Sequence, residues 1–220
     1  IGYFHLISSS SLFIFCDDVN YIKQGWINRN RILSGNDCCL FVVPMKNRSQ
    51  NKMIKEICPL ITKEWTNQFY NQLRHNYRRA PYFSEVVDRV LSVFEDEYDD
   101  VTDLAIKSIA CVYDYLGMDL AFTKTSICSP ETKGMERSDR LIEITKRQGF
   151  KTYVNLPGGR ELYDKEYFRS KGIELQFVRS NPVEYKQYSG EFVPFLSIID
   201  VLMFNCKSDV LQLLSEYSIE

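Results

Sequence analysis

The stretch from Thr152 to Phe177, TYVNLPGGRELYDKEYFRSKGIELQF, constrains the fold most, because its pattern passes from strand to helix and back to strand. Thr152, Tyr153 and Val154 are β-branched or aromatic and fit a pleated surface. Pro157, Gly158 and Gly159 stop that strand and permit backbone angles that other residues would strain. From Arg160 to Arg169, the apolar residues Leu162, Tyr163, Tyr167 and Phe168 gather on one side of a helix. Gly172 suits the left-handed position past a helix end, and Ile173 to Phe177 alternates as a second strand does. Strand, crossover helix and strand usually pair in parallel. The expectation is an α/β fold, a mainly parallel sheet flanked by helices.

Ligands of parallel sheets bind beyond the carboxyl ends of the strands. A Gly158–Gly159 turn there lets backbone approach a ligand, and the helix after it would aim free N–H groups at an anion. Arg160, at the expected helix start, could clamp phosphate or carboxylate at two points, and Tyr163 lies one turn on. The spacing is neither that of a P-loop nor that of a dinucleotide fingerprint. A tight loop with a solvated arginine is the bland alternative.

Along the chain, Gly2 to Ser8 reads as a short helix and Leu12 to Cys16 as a buried strand. Asp17 and Asp18 follow at its carboxyl end. Two acids there can hold a metal, a ribose or an amine, or act as base, and they are the candidate catalytic pair; capping a turn is the alternative. Trp26, Asn28, Arg29, Asn30 and Arg31 mix a flat ring with amide and guanidinium donors that suit a base, a sugar or an acyl amide. A core tryptophan with a solvated hairpin would produce the same pattern. Cys38 to Val43 reads as another buried strand.

A helical block is expected over about 62–117, with Trp65, Phe69, Leu73 and Tyr77 as its buried stripe and Gly117 as its close. A helix from Glu136–Arg140 to Gly149 precedes the strand at Thr152. Beyond Phe177, Tyr185, Lys186, Tyr188 and Glu191 lie in a long polar connection that suits a substrate lid. Ser197 and Asp200 form a Ser-x-x-Asp capping box, or a pair that faces a ligand. Asp209 to Tyr217 reads as a final amphipathic helix. The expected organisation is one domain over residues 1–220 with the helical block inserted.

A net charge of −2 gives no electrostatic case for nucleic acid. The seven cysteines show no C-x-x-C pair, and Cys16, Cys111 and Cys206 lie in apolar runs, which points to a reducing cytoplasm without a disulfide framework. No apolar run approaches the roughly 20 residues that span a bilayer. With two histidines and no Gly-x-Ser-x-Gly elbow, no Ser-His-Asp machine can be assembled. No cysteine or histidine pair has zinc-ligand spacing, so no metal site is expected. No phrase names a cofactor.

IGYFHLI at 1–7, DDVNYIKQGWINRNRI at 17–32, APYF at 80–83, ERSDRLIEITKRQGFKTYVNLPGGRELYD at 136–164 and EYKQYSGEFVPFLSIIDVLMFN at 184–205, taken together, resemble the WbqC-like protein family of bacteria. Members typically open with a strand and a Gln-Pro-containing aromatic segment, which implies residues ahead of Ile1. The family is associated with gene clusters for O-antigen and other surface polysaccharides of the lipopolysaccharide kind. The resemblance therefore implies a cytoplasmic transferase acting on a sugar nucleotide or an amino sugar, with an acyl or aminoacyl donor. A non-catalytic binding or assembly protein of the same pathway is the alternative, and a nucleotidyl or adenylyl transferase a further one. The resemblance assigns no catalytic residues.

Overall fold

The structure, a computed structural model, describes residues 1–188 and 190–220. In chain order its elements begin α1 (Gly2–Ser8), β1 (Phe13–Phe15), β2 (Arg29–Ser34), β3 (Asp37–Val42), β4 (Met45–Lys46) and β5 (Cys58–Pro59). The longer helices α2 (Lys63–Tyr77), α3 (Phe83–Ser92) and α4 (Val101–Leu116) follow. Then come β6 (Phe122–Lys124), α5 (Thr125–Cys128), α6 (Arg137–Arg147), β7 (Thr152–Asn155), α7 (Lys165–Ser170) and β8 (Glu174–Ser180). Helices α8 (Ile198–Phe204) and α9 (Lys207–Leu213) and strand β9 (Tyr217–Ile219) complete the order.

These elements fall into two compact units. The first takes Ile1, Val19–Leu120 and Glu184–Leu213, and the second Gly2–Asp18, Ala121–Val183 and Leu214–Glu220.

The first unit is mainly helical. Thr62 caps α2 by accepting from the Trp65 N–H, and the Asp100 carboxylate caps α4 by accepting from Thr102 and Asp103. Phe69, Leu73 and Tyr77 are buried along α2 as the four-residue spacing predicts, while Trp65 is half-buried and stacks on Phe69. Gly117 ends α4 at φ 69°, an angle that favours glycine. β2 and β3 pair antiparallel with Ser34 opposite Asp37, so Gly35 and Asn36 make the turn. A connection that short joins only antiparallel strands. The run Cys38–Val43 therefore has an open face, on which Leu40 and Val42 are exposed.

A hydrogen-bonded carboxylate ties this unit together. Asp200, in α8, is 0% exposed and accepts from the hydroxyls of Tyr77 (2.8 Å) and Tyr185 (2.7 Å) and the Gln187 amide (2.8 Å). Tyr77 Oη also accepts from the Leu33 N–H at 2.7 Å, so one phenol links α2, β2 and α8. Desolvation raises the Asp200 carboxyl above its ordinary value, against the lowering effect of its three donors.

The second unit holds the strand–turn–helix–strand stretch. β7 and β8 run parallel, with Thr152 opposite Glu174 and Asn155 opposite Phe177. Phe168 from α7, Ile142 from α6, and Ile173, Leu175 and Phe177 form the core beside them. β1 and β6 also run parallel, Phe13 opposite Phe122 and Phe15 opposite Lys124. β9 adds to β8 antiparallel, so the chain ends in a strand where the sequence suggested that a helix would continue to Tyr217.

The fold is thus a mixture of helices and strands. The expected mainly parallel sheet is replaced, among the described residues, by small sheets of two or three strands in which β1–β6 and β7–β8 are the parallel pairs. The two-residue turn at Gly35 and Asn36 commits β2 and β3 to a hairpin, where a parallel pair would need a crossover. Tyr77→Phe is expected to lower stability by about 1–3 kcal/mol, because it strands the Leu33 N–H and removes a donor from a buried carboxylate. The check is urea unfolding, with a lower midpoint at unchanged slope.

Candidate functional site

In a parallel pair, the residues that follow two neighbouring strands emerge side by side. Phe15 lies opposite Lys124, so Asp17 and Asp18 leave β1 where Thr125 and Ser126 leave β6. Both acids are almost fully buried, at 1% and 6% exposure, so each needs donors. The Ser126 N–H reaches Asp17 Oδ1 at 2.9 Å, and the Ser126 hydroxyl donates to Asp17 Oδ2. Thr125 Oγ1 lies 2.6 Å from Asp18 Oδ1 and 3.0 Å from Asp17 Oδ1. A hydroxyl has one proton, so Thr125 serves one carboxylate at a time, and the shorter contact favours Asp18.

Arg140, from α6, completes the cluster. Its Nη2 lies 2.7 Å from both oxygens of Asp18, and its Nε donates to Thr132 Oγ1 at 3.3 Å. Desolvation pushes the Asp18 carboxyl up, but the hydrogen bonds from Arg140 and Thr125 and the guanidinium charge outweigh it and hold the group below its ordinary value. Cys16, next in the chain, meets solvent, and desolvation by the protein around it raises its thiol while the Arg140 charge works the other way. Burial pushes the Tyr3 phenol up to about 12, with Cys16 as a second cause. Among the described residues, no group of three or more His, Cys, Asp or Glu is placed to hold a metal ion.

The Gly158–Arg160 turn has partners other than those expected. Pro157–Gly159 is a 3-10 turn in which the Gly159 and Arg160 amides donate to Leu156 and Pro157 carbonyls. The helix after it begins only at Lys165, and the Asp164 carboxylate caps it by accepting from the Glu166 N–H. An anion would meet the engaged Gly159 and Arg160 amides and the like charge of Asp164 there. Arg160 instead pairs with Glu220 and lies over the Phe177 ring. A Cβ at Gly159 would stand 2.7 Å from Asn155 Nδ2, so a larger residue there would require the Asn155 side chain to shift. Tyr163 packs against Tyr153 and Phe168.

In the first unit, Asn28 is buried and committed, accepting from the Tyr21 hydroxyl (2.9 Å) and donating to the Val43 carbonyl (2.8 Å). Asn30 Oδ1 takes the Arg31 N–H. Trp26 is exposed, with the guanidiniums of Arg29 and Arg31 over its ring. Lys186 and Glu191 are exposed in the connection to α8, and Glu191 borders a shallow hollow with Gln187 and Val193. Ser197 caps α8 as its capping-box pattern predicts, but Asp200 turns its carboxylate to Tyr77, Tyr185 and Gln187.

Sequence reasoning passed over Arg140, Thr125 and Ser126. The signal for Thr125 and Ser126 was legible, as polar residues directly behind a short strand, like Asp17 and Asp18. Arg140 carried none, since only the fold brings α6 to the end of β1.

A sequence model of the WbqC-like protein family matches residues 1–212. The chain belongs to the WbqC-like protein family. A Mycobacterium tuberculosis protein described as "Uncharacterized protein Rv1507c" is similar to this WbqC-like chain, 28% identical over 207 residues that cover 93% of this chain and 87% of the relative. No solved structure matches it. No helix among its described residues is long and apolar enough to cross a membrane.

Arg140→Ala in this WbqC-like protein is expected to cost about 3–5 kcal/mol of stability, because it leaves Asp18 buried without its cation. A depressed carboxyl stabilises the fold fully above its unfolded value of about 4, and that contribution is lost as pH falls through the folded value. The stability gap between wild type and Asp18→Asn should therefore be widest near neutral pH and shrink below about pH 4. Chemical unfolding at stepped pH measures both effects.

Proposed function

We propose that this WbqC-like protein is a transferase of cell-surface polysaccharide biosynthesis, of the O-antigen kind, that moves an acyl or aminoacyl group from an activated donor onto the amine of an amino sugar or sugar nucleotide. The observation that carries the reading is the Asp17–Ser126 and Asp18–Arg140 cluster where the parallel strands β1 and β6 end, the position at which such sheets bind ligands.

An amine that attacks an acyl carbonyl must lose a proton, and the carbonyl oxygen gains charge as the bond forms. Ser126 is the half-exposed member of the cluster and its hydroxyl already donates to Asp17. The proton can pass from the amine to Ser126 Oγ while the Ser126 proton passes to Asp17, which makes Asp17 the base. As the tetrahedral adduct collapses, the bond from the acyl carbon to the donor breaks and the leaving group takes that proton back from Asp17 through Ser126, which restores the carboxylate. Asp18 serves as a positioning residue, because a carboxylate held below its ordinary range by Arg140 is a poor proton acceptor. Arg140 Nη1 carries no hydrogen bond among the described residues and suits the developing oxyanion.

A non-catalytic binding protein of the same pathway has one observation in its favour, that the oxygens of Asp17 and Asp18 already accept hydrogen bonds within the protein. Mass-spectrometric assay of wild type against panels of acyl and aminoacyl donors with nucleotide amino sugars separates the two. The transferase reading expects one donor–acceptor pair to turn over. Asp17→Asn should then lower kcat by about 10²–10⁴-fold with the fold retained by circular dichroism. Wild type that turns over no pair leaves the binding reading in place.

A further inference from the structure

The first unit carries a pair of cations that meet no carboxylate among the described residues. Arg29 and Arg31 are alternate residues of β2 and so share one face of the β2–β3 hairpin, opposite Val42 and Leu40. Trp26 lies on the same face, 56% exposed, with Arg29 Cζ 5.1 Å and Arg31 Cζ 4.7 Å from its ring centroid. The two guanidiniums therefore stand within about 10 Å of each other, about one Debye length at 0.1 M salt, so their repulsion is incompletely screened.

Their attachments differ. Arg29 is held in place, with Nε donating to the Gly25 carbonyl at 2.8 Å and Nη2 to the Gln24 carbonyl. Gln24 supplies that carbonyl from a left-handed backbone position, φ 61°, which a glutamine rarely adopts. The Arg31 side chain has no hydrogen bond or ion pair among the described residues, and neither arginine meets a carboxylate there. Elsewhere Arg140, Arg147, Arg160, Arg169 and Arg179 each do.

We infer that Trp26, Arg29 and Arg31 form a binding site for a diphosphate, with the indole as a platform that holds two guanidiniums toward one doubly charged ligand. A fixed arginine and a free one, both planar forks, match the two phosphate groups of such an anion. The exposed Leu40 and Val42 on the same face offer apolar surface to the group that the diphosphate carries. This deepens the transferase reading, on which it rests only for the naming of a sugar nucleotide as the diphosphate.

The protein contains two tryptophans, and Trp65→Phe leaves Trp26 as the single indole fluorophore at the site. Inorganic pyrophosphate, and separately uridine diphosphate N-acetylglucosamine, are titrated at low ionic strength while Trp26 emission is followed, with calorimetry on the wild-type protein as the second measurement. Both probes should bind, more tightly than orthophosphate, and bind more weakly as salt rises. Arg31→Ala, whose side chain has no hydrogen bond or ion pair among the described residues, should weaken binding about tenfold or more, and Arg31→Lys less. Unchanged affinity in Arg31→Ala, or no binding of pyrophosphate by wild type, overturns the site whatever the transfer assay shows. Co-sedimentation with phosphatidylglycerol vesicles without pyrophosphate binding overturns it too, by assigning the cations to a lipid surface. Pyrophosphate binding in a protein that transfers no acyl group upholds the site and removes the transferase reading alone.

Discussion

A carboxylate taken out of water must find donors, and in this protein that requirement decides the local architecture. Asp200 has no solvent exposure and is surrounded by two phenols and an amide. Those donors come from α2 and from the chain before α8, so forming the network brings distant segments into register. A core of aliphatic side chains would tolerate small slips between these elements. A buried acid with three directional bonds does not, since each lost bond leaves a charge short of solvation. The raised carboxyl of Asp200 records what desolvation costs even after the donors are in place.

The second unit answers the same requirement with a full positive charge. Asp18 takes a guanidinium and a hydroxyl, and its carboxyl falls below the ordinary value where that of Asp200 rises. The difference follows from Arg140, because neutral donors share a charge and a cation balances it. It also divides the labour between neighbours. Asp18 is neutralised in place and orients Arg140, while Asp17 is held by neutral donors, one of them the half-exposed Ser126.

Local pattern made much of the fold legible. The four-residue stripe of α2, the left-handed glycines at 117 and 172, and the parallel pair β7–β8 around the Pro-Gly-Gly turn all follow from spacing and backbone chemistry. Apolarity alone misled at Cys38–Val43, where an unbroken run resembled a central strand but a Gly-Asn turn made it half of an open hairpin. Within the candidate site, the location of Asp17 and Asp18 behind a strand was readable. Their partner was not, because Arg140 lies 122 residues from Asp18 in the chain and only tertiary contact selects it. Arg160 shows the converse: its local setting resembled an anion clamp, yet the terminal Glu220 engages it.

The last strand has a bearing on how the molecule can be handled. Tyr217–Ile219 lines the outer side of β8, and Glu220 exchanges backbone hydrogen bonds with Phe177 in both directions. Clipping those few residues would uncover the ladder groups of Val178 to Ser180 and hand neighbouring molecules a ready template for edge-to-edge growth. Loss of β9 would thus show itself as turbidity or higher assemblies in solution well before any loss of helix content.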